Sequence, residues 1–288
     1  MGMLYECHAH IALDGADFRR ALARHTSAPD ETWVRARLEE YRAAGAGYVR
    51  DGGDNLGVSL LAVRLAPEYG ITYRSPAFAI HKKGRYGGFL GREWSDMGEY
   101  RALVAEVRRL GGDFIKLMLS GIMDFSEYGK MSCEPLEAEE IRELIGIAHG
   151  EGFAVMAHCN GADAVKAAVE AGVDSIEHGY YLDEQAISDL AASDTVWVPT
   201  FAPVANLVGS GKFPDAVLKK IVEQHALDVK RAEYTGGLLA PGSDGGAFAV
   251  PQGQGIRDEY AYLETMVSQQ ALEEGAMLLE NIFKRKQD

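Results

Sequence analysis

Met3-Leu4-Tyr5-Glu6-Cys7-His8-Ala9-His10 is a short apolar run that delivers two histidines two residues apart. Side chains alternate faces along a strand, so His8 and His10 project from one side and Cys7 from the other. Two imidazoles on one face at the mouth of a strand can hold one metal ion. A lone His-X-His is short and frequent by chance, so its meaning depends on what the rest of the chain supplies.

Downstream, β-branched and apolar runs alternate with helical patterns. Asp30 caps a helix with Trp33, Val34, Leu38 and Tyr41 at helical spacing, and Gly45 stops it. Strands are expected at Gly47–Arg50, Ile71–Ile80, Asp113–Leu119, Phe153–His158, Val173–His178, Thr195–Thr200 and Leu238–Asp244. Helices follow from about Val58 to Tyr69, Met97 to Leu110, past Pro135 with its early glutamates, through Ala171, and over Asp183–Ala192 and Pro214–Tyr234. One or two more cover Asp258–Lys286. A Gly- and Lys/Arg-rich loop, His81 to Arg92, follows the third strand. Alternation of this kind means βαβ units and a parallel sheet, and about eight strands favour a closed (β/α)8 TIM barrel over an open sheet. No linker-like stretch divides the sequence, so residues 1–288 are read as one α/β domain.

Composition narrows the function. The chain has 288 residues, 47% hydrophobic and 25% charged, with a formal net charge of -14. An acidic chain repels phosphate backbones and anionic membranes, so the expected partner is a small-molecule substrate, not nucleic acid or membrane; a homo-oligomer stays open. Cys7, Cys133 and Cys159 form no CxxC pair, and no signal peptide or membrane-spanning run is visible, which together point to the cytoplasm.

In such a barrel the active site forms at the C-terminal strand ends. Of eight histidines, four (His8, His10, His158 and His178) fall at these positions, while Lys116 lies on the fourth strand and Asp244 ends the last. Imidazole and carboxylate together suit zinc and neighbouring metals, which lower the pKa of bound water to about 7. Asp244 can hold the metal or its water and carry a proton to a leaving group. These parts describe hydrolysis at an amide, imine or ester carbon.

His-X-His, Phe-Ile-Lys116-Leu-Met-Leu-Ser-Gly, Met-Ala-His158-Cys-Asn-Gly, Ile-Glu-His178-Gly and Gly-Ser-Asp244-Gly-Gly, in this order, resemble the amidohydrolase superfamily, and within it the imidazolonepropionase-like and prolidase-like members. The resemblance runs from His8 to about Tyr260. It implies that His8, His10 and Asp244 bind one Zn2+ and that His158 and His178 bind a second. Lys116, carboxylated, would bridge the two, with Asp244 as proton shuttle. Two departures stand out. The β-sandwich of most members is expected to be missing, because His8 lies so near Met1. The usual Ala/Thr-rich helix after the last strand is replaced by polar Glu264–Glu274.

Other residues receive smaller roles. Glu177 precedes His178 and is read as facing away from it, as structural support. Cys7 and Cys159 are read as outward packing residues. Arg50-Asp51 is read as bracing the barrel mouth. His81, Arg85 and Tyr86, in the basic loop, and Tyr180 are the candidates for gripping a substrate carboxylate or carbonyl. The resulting reading is a metal-dependent hydrolase of a cyclic amide, N-acyl or dipeptide-like substrate. Its rivals are a mononuclear deaminase, a lactonase or esterase, and a metal-binding scaffold without turnover.

Overall fold

The computed structural model describes residues 2–284. Ten strands occur among them: β1 Leu4–Ala9, β2 Ala46–Asp51, β3 Thr72–Arg74, β4 Ala79–Lys82, β5 Gly91–Trp94, β6 Ile115–Met118, β7 Val155–Cys159, β8 Ser175–His178, β9 Val196–Val198 and β10 Leu238–Leu239. They pair in parallel as two runs, β1-β2-β3 and β10-β9-β8-β7-β6-β4-β5. Two seams join the runs. At one, Ala9 bridges Gly245, and the Cys7 and His10 N–H groups donate to the carbonyls of Pro241 and Gly245 at 3.0 and 2.7 Å. At the other, the Asp113 N–H donates to the Ser75 carbonyl at 2.7 Å, and the Ser75 N–H to Asp113 Oδ2 at 3.0 Å. With β3 and β4 counted as one interrupted stave, the result is a (β/α)8 barrel.

That interruption is a departure from the sequence expectation of one strand over Ile71–Ile80. Pro76 has no N–H to give a ladder, and Ala77 takes a left-handed φ of 68°, so the stave breaks between β3 and β4. The lower half pairs with β2. The upper half pairs with β6 and with β5, an additional strand that begins in the last two residues of the stretch read as a loop. The helices lie where capping chemistry puts them. Asp30 accepts the Trp33 N–H at the start of Glu31–Ala44, and Gly45, at φ 92°, ends it in a conformation that a Cβ disfavours. Asp96 and Asp183 cap Met97–Leu110 and Glu184–Ala191 in the same way. The tail forms two helices, Gln254–Leu263 and Gln269–Ile282; its expected end at Lys286 lies outside the described residues. No helix among the described residues is long and apolar enough to cross a membrane.

Strand alternation sorts the core into two shells. Ile115, Leu117, Val155, Ala157 and Ile176 pack outward against helices. Tyr48, Phe114, Met156, Val196 and Val198 pack inside, on Leu279 and Phe283 at the end of the last helix. This apolar floor fills the lower barrel and leaves the C-terminal strand ends to carry polar groups. Cys7 belongs to the floor and not to the outer shell, which corrects the outward reading. The β1–β2 register shifts between Glu6 and Ala9, so simple alternation fails across that step; Cys159 does face the outer shell.

Candidate active site

The strand ends of β1, β6, β7 and β8 and the segment after β10 converge on one place. His8 and His10 lie with ring centroids 5.3 Å apart, His8 and His178 4.9 Å apart, and His158 and His178 4.5 Å apart. Asp244 Oδ1 is 3.7 Å from His8 Nε2 and 3.4 Å from His10 Nε2. The ligand atoms of His8, His10 and Asp244 all lie within 4.8 Å of one another. Lys116 is buried beside them, and its charge is felt at His8, His10, His158, His178 and Asp244. All six candidate ligands are therefore brought together.

Backbone and neighbours fix the rings. His178 and Asp244 both take left-handed φ, 70° and 57°, a conformation costing a non-glycine residue roughly 1–3 kcal/mol. At His158, Nε2 donates to the Gly121 carbonyl at 3.1 Å, which leaves Nδ1 with its lone pair. His178 Nδ1 is bonded to Thr200 Oγ1 at 2.7 Å, leaving Nε2 free. The His10 ring fits only because residue 52 is glycine: a Cβ there would lie 2.2 Å from His10 Cε1 and 2.8 Å from Nδ1. Gly52→Ala is expected to displace that ring and so to weaken a metal site built on His10 about 10–100-fold, read with zinc as the probe in a competitive chelator titration; unchanged affinity would remove His10 from the candidate ligands.

Burial sets the protonation of these groups. Burial holds His10 and His158 down at about 3 and His8 and His178 well below the usual range, with the Lys116 charge acting in the same direction. The imidazoles are therefore neutral at pH 7. Burial likewise pushes the Lys116 amine down to about 8 and the Asp244 carboxyl up to about 7. His8 Nε2 and Lys116 Nζ are buried with no hydrogen-bond partner. Buried polar atoms are seldom left so, and a set of neutral imidazoles, a carboxylate and an unpartnered amine fits divalent metal.

Glu177 was underestimated from sequence. It is fully buried, with Oε2 2.8 Å from His8 Nδ1, although the two atoms meet without hydrogen-bond alignment. Its Oε1 accepts from Arg50 Nη2 at 2.8 Å and from Ser175 Oγ at 2.6 Å. Arg50 also donates Nε to the Cys7 carbonyl at 2.7 Å and Nη1 to Ser175 Oγ at 2.8 Å. Ser175 and Glu177, two residues apart on β8, were the available signal.

Of the four proposed substrate contacts, Tyr86 and Tyr180 line the cavity above the ligands, and His81 and Arg85 do not. The Tyr86 ring is 5.0 Å from that of His158. Arg85 turns away and donates to the Glu134 carbonyl at 3.1 Å; His81 is tucked under the loop, its Nδ1 3.1 Å from the Lys82 carbonyl. The loop closes over His81 because Gly87 and Gly91 leave it room. The Tyr180 hydroxyl is spent on the Thr200 carbonyl at 2.8 Å.

Residues 31–266 match the sequence profile of the Amidohydrolase family. The chain belongs to the amidohydrolase family. An ochratoxinase of Aspergillus niger is 26% identical over 277 residues, covering 84% of this chain and 57% of its own length. An uncharacterized protein of Mycobacterium tuberculosis is 29% identical over 187 residues, covering 62% of this chain and 49% of its own. The chain thus spans about half the length of the curated relatives it matches. Among solved structures of similar fold, a Xaa-Pro dipeptidase with methionine in its active site has a TM-score of 0.76 at 21% identity. The match covers 98% of this chain and 76% of that one. The A. niger ochratoxinase has a TM-score of 0.76 at 19% identity, covering 99% and 72%.

Proposed function

We propose that this amidohydrolase is a metal-dependent enzyme that hydrolyses the C–N bond of a small amide. The observation that carries the reading is the ring of neutral histidines around unpartnered Lys116 Nζ, with Asp244 at its open side. His8, His10 and Asp244 would hold one divalent ion, zinc by donor chemistry, and His158 and His178 a second, with Lys116 as a carbamate between them. A depressed amine supports that role, since carbamate forms from the neutral amine and carbon dioxide with release of a proton. When bound, such ions polarise the scissile carbonyl and supply hydroxide at neutral pH.

The chain's own residues do the rest. Asp244 takes the proton of the attacking water on its carboxylate and returns it to the leaving nitrogen. The Tyr86 hydroxyl, for which no protein hydrogen bond is found among the described residues, is the free donor for the carbonyl oxygen. The Gly121 carbonyl keeps His158 in the tautomer that ligation through Nδ1 needs, and the Thr200 hydroxyl can accept from His178 Nδ1, which leaves Nε2 for the same role. Three unpaired cysteines support placing the enzyme in the reducing cytoplasm.

The test is hydrolysis of a panel of N-acyl amides, lactones and aminopurines by zinc-loaded protein, with metal counted per chain. Amide turnover with two equivalents is expected; ammonia release from aminopurines with one equivalent would replace the reading by deamination. Tyr86→Phe is expected to lower kcat about a hundredfold, the cost of one oxyanion donor, and an unchanged kcat would remove that role.

A further inference from the structure

The cavity above the ligand ring has a volume of about 390 Å³, enough for a drug-sized molecule. Its walls are aromatic and aliphatic: Phe18 opens the short helix Phe18–Ala23, and Phe89, Ile122, Phe125 and Phe248 come from three separate loops. Three large apolar side chains that stand exposed among the described residues, Phe18 (45%), Ile122 (37%) and Phe248 (44%), lie on this one mouth. Exposed apolar groups that converge on a pocket mark a recognition surface. Phe18 meets Phe89 edge-on at 5.6 Å, and Phe89 lies 5.9 Å from Tyr86, so an aromatic wall runs from the rim down to the ligands.

Charge on that wall is missing. Among the described residues lining the cavity, the only ionised side chains are Lys116 and Asp244, both in the ligand ring. Asn160 Oδ1 accepts the Tyr180 N–H at 3.0 Å, and its Nδ2 donates to the Gly121 carbonyl at 3.3 Å. Thr200 and Tyr180 are occupied as described, and Arg85 points to Glu134. The cations in contact with rim rings, Arg19 over Phe18 at 5.5 Å and Lys212 over Phe248 at 3.2 Å, do not line the cavity. Away from the ligand ring, a substrate carboxylate buried against this wall would lose its water and gain no counter-charge from a side chain.

We infer that the cavity selects a neutral amide bearing a bulky aromatic or branched apolar group, and discriminates against substrates that keep a free carboxylate next to the scissile bond. This rests on the amide-hydrolase reading and deepens it. The test uses a matched pair sharing one scissile benzoyl amide, N-benzoyl-phenylalaninamide and N-benzoyl-phenylalanine, with the zinc-loaded enzyme. The neutral compound is expected to have a kcat/KM at least about a hundredfold higher. Phe248→Ala is expected to raise its KM about tenfold more than that of acetanilide. Equal or better use of the acid overturns the inference. Calorimetric binding of both compounds separates the two levels: if the neutral compound binds, the acid does not and neither is cleaved, the substrate class stands and the hydrolase reading fails. If neither binds, the substrate class itself is overturned.

Discussion

Asp244→Asn is expected to lower kcat/KM for amide hydrolysis by about a thousandfold while the barrel stays folded. Two losses combine in that number. The amide nitrogen and oxygen cannot accept and return the proton, a role worth roughly 10²–10⁴ in rate. The carboxylate oxygen that lies 3.4 and 3.7 Å from the two β1 histidines becomes a weaker, neutral donor. Stability is expected to hold, because Asn fits the left-handed φ of 57° at this position as well as Asp does. It also relieves the burial of a carboxyl already pushed up to about 7. The same shift has a sign. Below pH 7 the metal-free protein keeps a proton on Asp244, and below about 8 another on Lys116. Both must leave for ligation, so apparent metal affinity should rise with pH through this range, by up to about tenfold per unit for each proton released. In the Asn variant the part due to residue 244 disappears. Zinc titrations at pH 6, 7 and 8 on both proteins measure this, and parallel slopes would show that Asp244 is not a ligand.

Glu177→Ala is expected to be the most damaging single change outside the ligands. It strips a fully buried carboxylate from Arg50, which is fully buried too and touches it at 2.8 Å. Breaking one side of a buried pair typically costs about 3–5 kcal/mol, because the other charge is left without compensation. It also removes the oxygen lying 2.8 Å from His8 Nδ1, and loss of such a partner behind a ligating histidine costs about 10–100-fold in metal affinity. Urea unfolding of the metal-free protein reads the first effect and a chelator titration the second. Glu177→Gln, which keeps the shape and part of the bonding to Arg50 and Ser175, should recover most of the stability and little of the affinity. An alanine variant with an unchanged urea midpoint would mean that Arg50 finds its charge balance elsewhere.

These two residues also show what the sequence could and could not reveal. Asp244 was legible because a carboxylate in a Gly-Ser-Asp-Gly-Gly stretch after the last apolar run joins histidines at other strand ends, and ligand chemistry is written in residue type. The helices were legible for a similar reason: Asp30, Asp96 and Asp183 announce their starts by side-chain capping. Glu177 was misjudged because strand alternation sends it and His178 to opposite faces. The left-handed φ of 70° at His178 breaks that alternation, so both side chains reach His8. The split of β3 from β4 was hidden for the same kind of reason, in a single backbone angle at Ala77. The substrate wall was illegible because Phe18, at a helix start, and Phe89 and Phe248, on loops, share no periodicity; only folding makes them neighbours. Arg85 misled in the opposite direction, being placed at the mouth by sequence and drawn to Glu134 by the path of its loop.

Six side chains from five places in the sequence are proposed to form one two-metal centre. A crystal structure of the zinc-loaded protein, with anomalous scattering recorded at the zinc edge, tests it most directly. Two zinc peaks are expected inside the ring of His8, His10, His158, His178 and Asp244, with added density on Lys116 Nζ reaching both. A single peak with a bare Lys116, or zinc bound only outside the ring, would contradict it.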